Sequence, residues 1–319
     1  MTNFIDPAIL FFVFGVLAGL LKSNLEIPQP ISRFLSLYLL MALGLRGGFE
    51  LAHSGLTATV LSGLSSALIL ALLVPLLGYF FLRKVVNGFD AAAIAATYGS
   101  VSAVTFITAT RYLDDLGIHF GGHMAAAHVF MESPAIVMAI LFVNQLRKED
   151  ASKATASSPF HILRESLTDG AQILLIGSVI VGLLSGEVGK AAMQPFSGDL
   201  FKGMLAFFLL DMGLMTARNF PPFRSVSPWL LVYAIVGPMV HAALALALAK
   251  TVGLSAGDAE LLMVLSASAS YIAVPAVLRF AIPEANASLY FGLSLGITFP
   301  INILAGIPIY IGIAQRMLA

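Results

Sequence analysis

Long apolar stretches separated by short polar segments dominate the chain. A membrane-spanning helix needs about 20 mostly apolar residues. Ten runs are long enough to span or nearly span a bilayer: residues 4–21, 31–48, 57–82, 91–113, 121–146, 166–185, 200–217, 228–250, 259–280 and 287–315. Five precede and five follow the clearly polar segment 147–164. The pattern predicts an all-α polytopic membrane protein with ten transmembrane helices.

The fourth run has a polar middle that an ordinary membrane helix would avoid. It contains Thr97, Tyr98, Gly99, Ser100 and Ser102. The bilayer core offers no water to polar groups, so such a stretch belongs where backbone is buried in protein or lines a polar cavity. Two interpretations are open: a binding site, or a small-residue surface that lets two helices approach closely.

A second copy of this pattern lies in the ninth run. Ser268 and Ser270 follow Ser100 and Ser102 at an offset of 168 residues, and Tyr271 comes next. Paired apolar segments that are interrupted by Gly, Ser or Pro at corresponding positions of two repeats indicate the binding site of a secondary transporter. The second copy therefore favours a site over simple helix packing.

A similar offset recurs elsewhere and indicates two duplicated halves. Leu43-Gly44-Leu45 and Met212-Gly213-Leu214 lie 169 residues apart. We predict a first five-helix repeat at 1–146, a linker at 147–164 and a second five-helix repeat at 165–319. Because five is odd, the second repeat is inverted in the membrane. Two broken helices would then cross near the midplane, with half-helix N-termini facing a bound anion.

Composition narrows the function classes. Of 319 residues, 59% are hydrophobic and 11% are charged, with a mean hydropathy of +0.94 and a net charge of zero. This excludes a soluble globular class and gives no basic footprint for nucleic acid. The absence of cysteine excludes disulfides and thiol chemistry. There is no Walker-type phosphate loop or nucleophile elbow, so we expect no enzyme activity.

The basic residues are distributed unequally between the predicted loops. With the N-terminus outside, eleven of the 17 Lys and Arg residues fall on the cytoplasmic side and six on the outer side. Cytoplasmic loops carry the excess of Lys and Arg. Both termini are therefore predicted to lie outside, and the 147–164 linker in the cytoplasm.

Glu132 is an ionisable residue deep in the fifth run. A charge there costs about 2.5 kcal/mol or more unless it is paired or hydrated, so it marks a functional position by default. Pro134 has no N–H and frees a backbone carbonyl, which could join an oxygen shell around a hard cation. The alternative is a neutral glutamic acid hydrogen-bonded to His128, one helical turn earlier.

Other polar residues within the runs receive plainer interpretations. Asp211 has an alanine, Ala42, as its repeat partner, which favours a structural or water-facing role. His241 is interpreted as a packing residue, because the histidines have no metal-site spacing. Arg111 and Arg279 end the two broken helices, and we expect their side chains to snorkel to the interface.

Several motifs occur in one order along nearly the whole chain. They are Ala42-Leu43-Gly44-Leu45, Tyr98-Gly99-Ser100-Val101-Ser102, Phe130-Met131-Glu132-Ser133-Pro134-Ala135, Met212-Gly213, Leu278-Arg279, Ile282-Pro283, Ala285-Asn286 and Gly296-Ile297-Thr298-Phe299-Pro300. This set resembles the sodium-dependent bicarbonate transporter family of cyanobacteria and other bacteria. The resemblance implies ten helices in two inverted repeats, similar to bile-acid sodium symporters, with a gate domain and a core domain that holds the crossed helices.

The resemblance also implies a setting for the protein. It implies a homotrimer in the plasma membrane of a bacterium and, in cyanobacterial members, control by a small trimeric PII-like regulatory protein. The chain departs from the family pattern at two positions. Tyr271 stands where the ninth span commonly has aspartate after its serines, and Glu132 followed by Ser133 stands where the fifth span has aspartate before its proline. One intramembrane carboxylate is therefore lost at the crossover.

The first functional hypothesis is secondary active transport of a small anion, bicarbonate by resemblance, coupled to Na⁺ without any cofactor. The mechanism would be alternating access. Backbone amides would hold the anion beside Tyr271, and they belong to Gly99, Ser100, Ala269 and Ser270. Oxygen atoms would hold the cation, and they belong to Ser102, Glu132, Ser268 and Thr298.

Two alternatives remain open from the sequence. One is a proton- or sodium-coupled carrier of another small organic anion, in which Glu132 cycles a proton and Tyr271 shapes a less polar pocket. The other is a membrane sensor or scaffold that binds its ligand without translocating it.

The topology predicts that the 147–164 linker is shielded from the outside of the cell. The chain has no cysteine, so Ser157→Cys introduces a single thiol. This thiol should resist an impermeant maleimide added to intact cells and should react after permeabilisation. Rapid labelling of intact cells would contradict the assignment of the N-terminus to the outside.

Overall fold

The structure is a computed structural model that describes residues 7–55, 57–149, 170–218, 227–271 and 273–318. The described residues are almost entirely helical, and no strand occurs among them. The all-α class predicted from the apolar runs is confirmed. The predicted linker lies outside the described residues from position 150 onwards.

Six α-helices form the first half. They are α1 (Pro7–Leu20), α2 (Gln29–Ser54), α3 (Ala58–Leu82), α4 (Gly88–Gly99), α5 (Ala103–Asp115) and α6 (His123–Glu149). Residues 100–102 between α4 and α5 are extended rather than helical. The fourth apolar run is therefore a broken helix, as its polar middle predicted.

The second half has a corresponding order of elements. They are α7 (Gly170–Met193), a π-helical turn (Gln194–Asp199), α8 (Phe201–Arg218), α9 (Pro228–Val252), α10 (Ala256–Ala267), α11 (Ala273–Ala281) and a last helical stretch (Ala287–Leu318). The described residues between α10 and α11, 268–271, are not helical. The ninth run is therefore broken like the fourth.

Seven stretches of described residues are long and apolar enough to cross a membrane. They are Gln29–His53, Ala58–Leu82, Gly88–Asp115, His123–Arg147, Ile173–Arg218, Pro228–Val252 and Ala287–Leu318. The helix α1 is apolar but shorter, at 14 residues. These stretches fit a polytopic membrane protein, and the arrangement of ten helices in two inverted repeats stays a prediction.

One element boundary differs from the sequence-based expectation, and the last helical stretch contains a proline. The predicted run 166–185 ends at the polar Gly186-Glu187 pair, whereas α7 continues to Met193 with a non-helical Gly186 (φ +53°) inside it. The last stretch stays helical through Pro300. Two π-helical segments, Ser294–Thr298 and Asn302–Gly306, lie on either side of that proline, because a π-turn accommodates a local interruption of the hydrogen-bond ladder.

Close glycine contacts hold the first two helices of each half against the other half. The helix α1 lies along α8, where a Cβ atom at Gly15 would come within 2.3 Å of the Leu210 carbonyl oxygen. At Gly213 it would come within 2.2 Å of the Phe12 carbonyl oxygen. Only glycine permits this backbone approach, so the Gly-Leu pair that repeats at Gly44 and Gly213 marks a helix-packing surface.

The helix α2 lies along α7 in a similar way, with close glycine contacts on both helices. Cβ atoms at Gly44, Gly48 and Gly182 would come within 2.7, 2.2 and 2.5 Å of carbonyl oxygens on the facing helix. The four helices α1, α2, α7 and α8 thus form one packed group. The helices α3, α4, α6, α9 and α10 pack mainly against one another and form a second group. The helix α5 belongs to this group through its contact with α10, and α11 belongs to it through its contacts with α4 and α6.

Burial separates the broken helices from the lipid-facing ones. Residues 90–99 of α4 and 257–267 of α10 are all buried. Large exposed apolar side chains lie instead on α1, α3, α7 and α9, where they would contact lipid. The two broken helices are therefore enclosed by protein.

Two glycines of α8 provide a matched test of this packing. Gly203 has open space where a Cβ would be placed, so Gly203→Ala should be neutral or stabilising by up to about 1 kcal/mol through helix propensity. Gly213→Ala should instead destabilise by about 1–3 kcal/mol, because overpacking forces the backbones apart. Thermal unfolding of both variants in detergent measures the difference, and equal midpoints would contradict the close α1–α8 contact.

Candidate functional site

The two helix breaks lie against each other and are joined by direct hydrogen bonds. The Ser270 amide donates to the Thr97 carbonyl oxygen at 2.8 Å. The Ser102 amide donates to Ser268 Oγ at 2.9 Å. Breaks from opposite halves of the sequence therefore satisfy each other's exposed backbone, as the absence of water in a bilayer core requires.

Equivalent serines start the second half of each broken helix. Ser102 Oγ accepts the Thr105 amide at 3.2 Å and caps α5. Ser270 Oγ accepts the Val274 amide at 3.3 Å at the start of α11. A serine hydroxyl at this position satisfies a backbone donor that the first helical turn leaves unpaired. The repeat of Ser102 and Ser270 at an offset of 168 thus encodes two helix starts.

Three hydroxyl groups at the breaks remain unsatisfied. Ser100 Oγ, Ser266 Oγ and the Tyr271 hydroxyl are buried and have no hydrogen-bond partner among the described residues. The Tyr271 hydroxyl interacts with neighbouring Ser102, but its geometry does not reach that of a hydrogen bond. Buried polar groups normally have partners. Three unsatisfied oxygens beside one crossing therefore identify the position where a polar ligand is expected.

Thr298 joins the last helical stretch to α4 and α9. Pro238 has no N–H, so the Ala234 carbonyl lacks its intrahelical donor, and Thr298 Oγ1 donates to it at 2.7 Å. The single hydroxyl proton of Thr298 is then used, so the Tyr98 hydroxyl must donate to Thr298 Oγ1 at 2.6 Å. One acceptor lone pair of Thr298 remains for a ligand.

Asn302 supports the second break from the last stretch. Its Nδ2 donates to the carbonyl oxygen of Ala267, the final residue of α10, at 2.8 Å. The Tyr310 hydroxyl donates to Asn302 Oδ1 at 3.1 Å and orients the amide. Asn302 therefore helps to hold the second break in place.

Glu132 lies buried in α6, and Pro134 lies inside the same helix. Because Pro134 has no N–H, the Phe130 carbonyl lacks its usual intrahelical donor. The alternative of a hydrogen bond between Glu132 and His128 is not supported, since neither ring nitrogen of His128 has a partner among the described residues. A buried carboxyl group and a freed carbonyl oxygen thus lie within one turn of each other.

The sequence model of the Na⁺-dependent bicarbonate transporter superfamily matches residues 7–315, nearly the whole chain. The chain belongs to this superfamily. A search of curated proteins finds no match. Membership confirms the resemblance drawn from the crossover motifs and places the chain among multi-pass membrane transporters.

In this superfamily member, the amides of Ser100 and Ser270, two of the four predicted anion-binding amides, already have backbone partners. The Ser100 amide donates to the Ala96 carbonyl oxygen at 3.0 Å, and that of Ser270 donates to Thr97. The Ala269 amide donates to no described residue. Gly99 lies in α4, where a Cβ would come within 2.5 Å of the Pro75 ring, so close packing explains this glycine. The anion-binding roles stay predictions.

Two equivalent aspartates that sequence reasoning missed lie at the far ends of the broken helices. Asp90 Oδ1 accepts the Asn286 amide at 2.7 Å, and Asp258 Oδ1 accepts the Gly121 amide at 2.7 Å. Each aspartate thus binds a backbone amide of the other half, just before a long helix begins: Asn286 precedes the last helical stretch, and Gly121 precedes α6. Asp90 and Asp258 are 168 residues apart, so the repeat offset itself was the signal that could have found them.

A further buried carboxyl group lies in α10. Glu260 is fully buried, and neither of its carboxylate oxygens has a hydrogen-bond partner among the described residues. Sequence reasoning did not single it out, because it lies at the edge of the ninth apolar run. With Asp90 and Asp258, it is the third buried acid among the described residues of α4 and α10.

The remaining polar positions have structural contacts. The Ser32 hydroxyl donates to the Asp211 carboxylate, which agrees with the structural role expected for that acid. Arg111 pairs with Asp115 rather than only snorkelling. The buried ring of His241 lies 6.2 Å from the ring of Tyr233. The side chain of Arg279 lies outside the described part of the structure.

The contacts of Thr298 lead to a stability prediction. Thr298→Val keeps the side-chain shape but leaves the Tyr98 hydroxyl and the Ala234 carbonyl buried without partners. We expect a loss of about 1–2 kcal/mol, since hydrogen bonds between membrane helices are worth up to about that much. Thr298→Ser keeps the hydroxyl and should unfold near the wild-type temperature. Equal unfolding temperatures for the valine and serine variants would contradict the assigned contacts.

Proposed function

We propose that the protein transports bicarbonate by coupling it to Na⁺ through alternating access. Superfamily membership supports the class of transporter. The observation that carries the proposal is the pair of mutually bonded helix breaks with three unsatisfied buried hydroxyl groups beside them. A polar ligand in an enclosed membrane site needs such partners.

The anion is proposed to bind where α5 begins. Helix N-termini favour anions, because their first amides have no intrahelical acceptor and the helix dipole is positive there. Ser102 already accepts the Thr105 and Phe106 amides, which leaves those of Ala103 and Val104 for a ligand. The Ser100 hydroxyl and the Ala269 amide would donate from the two breaks.

The cation is proposed to bind among oxygen atoms near Glu132. Na⁺ is a hard cation that prefers carboxylate, carbonyl and hydroxyl oxygens, as Ca²⁺ and Mg²⁺ do. The Glu132 carboxylate, the freed Phe130 carbonyl and the remaining lone pair of Thr298 are such ligands. Ser102 and Ser268, which sequence reasoning also assigned to the cation, are used in hydrogen bonds of the scaffold. To bind Na⁺ as well, each of these two hydroxyl groups would have to offer a lone pair that its existing hydrogen bonds do not use.

Tyr271 takes the place of the carboxylate that the family pattern commonly has at this point. Its ring is buried against Phe299, with 4.9 Å between ring centroids. A neutral hydroxyl can ligate Na⁺ but does not compensate its charge. We therefore propose that Glu132 supplies the negative charge that balances the coupling ion.

Translocation is proposed to involve relative movement of the two helix groups. The group of α1, α2, α7 and α8 holds together through glycine contacts, and the broken helices belong to the other group. Movement of one group past the other would expose the crossover to each side of the membrane in turn. Assembly as a homotrimer, a position in the bacterial plasma membrane and binding of a PII-like regulator are further proposals that rest on the family.

A proton-coupled carrier of another organic anion is the second candidate function. The observation that favours it is Glu260, a fully buried carboxyl group without a hydrogen-bond partner among the described residues. Such a group is most stable in its neutral form and could take up and release a proton during transport.

Uptake of labelled bicarbonate into proteoliposomes distinguishes these functions. We expect an inward Na⁺ gradient to drive accumulation, and an equal choline gradient to drive none. Accumulation driven by a proton gradient without Na⁺ would favour the second candidate. Binding of bicarbonate without accumulation under either gradient would instead favour a sensor that does not translocate its ligand.

Glu132→Gln tests the proposed cation site in the same assay. Loss of the balancing charge should raise the Na⁺ concentration for half-maximal uptake by about tenfold or more, since each 1.4 kcal/mol of lost binding energy is a factor of ten. The matched Glu260→Gln variant should keep the wild-type Na⁺ dependence. Unchanged Na⁺ dependence in Glu132→Gln would show that Glu132 has a structural role.

A further inference from the structure

A charged cavity lies away from the crossover, between the two helix groups. It has a volume of about 410 Å³ and lies between α2, α5, the π-helical turn after α7 and the start of α8. Its charged lining residues are Arg46, Arg111, Asp114, Lys190, Asp199 and Lys202. Four cationic side chains and two carboxylates thus line the cavity, and Asp115 and Glu187 lie within ion-pair distance of Arg111, Lys202 and Lys190. Cationic side chains that line a cavity can attract anions.

Two ion pairs cross this cavity from one helix group to the other. Arg46 on α2 holds Asp114 on α5 through both guanidinium Nη atoms, at 2.5 and 2.7 Å. Lys202 on α8 lies 3.7 Å from Asp115 at the end of α5, which also pairs with Arg111. The group of α1, α2, α7 and α8 therefore supplies cations, and the C-terminal end of α5 supplies carboxylates.

The Arg46–Asp114 pair is placed to affect the crossover. The helix α5 runs directly from the first break to Asp114, so a shift of this end is transmitted along a single helix to the capping residue Ser102. The pair is partly exposed, at 48% for the Arg46 side chain and 24% for Asp114. Ion pairs in contact with water contribute little to stability, so this contact can open readily.

The geometry of the pair matches a bicarbonate ion. A guanidinium group binds a planar carboxylate through two parallel N–H···O bonds. Bicarbonate presents the same planar fork of two oxygens on one carbon. The guanidinium of Arg46 also lies over the Phe120 ring, 5.1 Å from its centroid, which would hold the group in place during an exchange of its anionic partner.

We infer that this cavity is an anion capture site, at which bicarbonate competes with the Asp114 carboxylate for Arg46. This inference rests on the proposed function, since it names the path by which the transported anion reaches the crossover. In the resting arrangement Asp114 occupies the anion position and ties α5 to α2. An arriving anion takes that position, releases Asp114 and allows the broken helix to move relative to α2. The cavity and the two ion pairs therefore form an anion-sensitive contact between the helix groups.

Opposite effects of the two partners test this competition. Arg46→Gln removes the binding group and should raise the bicarbonate concentration for half-maximal uptake by about threefold or more. Asp114→Asn removes the competitor and should lower that concentration. A pair with only a structural role predicts the same direction for both variants, because each breaks the same contact. The same direction in both, or no change in either, would overturn the inference.

Calorimetric titration of the purified variants with bicarbonate, at constant Na⁺ and ionic strength, provides a readout independent of transport. Binding should weaken in Arg46→Gln and strengthen in Asp114→Asn. Lys250→Gln and Glu26→Gln are controls, because they make the same charge changes at exposed positions outside the cavity, and both should bind like wild type. Size-exclusion profiles confirm folding, and Arg46→Lys, which keeps the charge but loses the fork, should fall between wild type and Arg46→Gln.

The uptake assay and the calorimetric titration test the proposed function and the capture site separately. A wild-type protein without Na⁺-driven bicarbonate uptake would overturn the transport proposal. The titrations of the Arg46 and Asp114 variants would still decide whether the cavity binds the anion in competition with Asp114. Equal binding constants in wild type and both variants would overturn the capture site.

Discussion

Backbone that leaves a helix inside a membrane must find its hydrogen-bond partners within the protein, and the rest of this structure depends on that constraint. The two breaks meet it by bonding to each other, through the Ser270 amide to Thr97 and the Ser102 amide to Ser268. Neither broken helix could be stable in this form without the other. The duplicated halves of the sequence are therefore interdependent at their centre.

Proline and glycine place supporting groups around this centre. Pro238 frees a carbonyl that Thr298 then satisfies, and Gly99 lets α4 approach the Pro75 ring. Away from the centre, glycines hold α1 to α8 and α2 to α7. The prolines that interrupt the helices and the glycines that allow close helix contacts thus have packing roles. The groups that remain unsatisfied, Ser100, Ser266 and Tyr271, are available for ligands.

The sequence predicted the breaks well, because a bilayer leaves few roles for a repeated polar cluster inside an apolar run. It did not distinguish Ser100 from Ser102, since the spacing is the same whether a hydroxyl caps a helix or remains free. That difference depends on which atoms of the opposite break lie nearby. The equivalent roles of Asp90 and Asp258 could have been predicted from the sequence, because the two residues are separated by the repeat offset. The ion pair between Arg46 and Asp114 could not have been predicted, since the distance between these residues in the sequence does not match the repeat offset.

The unsatisfied hydroxyl groups at the crossed breaks are proposed to hold the transported ions. Titration calorimetry of bicarbonate binding to Ser100→Ala/Ser266→Ala, in Na⁺ and in choline, tests this proposal most directly. Neither hydroxyl has a hydrogen-bond partner among the described residues, so the double variant should fold normally. We expect wild type to bind bicarbonate more tightly in Na⁺ than in choline, and we expect the double variant to lose this Na⁺-dependent binding at the crossover. Wild-type affinity and Na⁺ dependence in a folded double variant would show that these hydroxyl groups do not bind the transported ions.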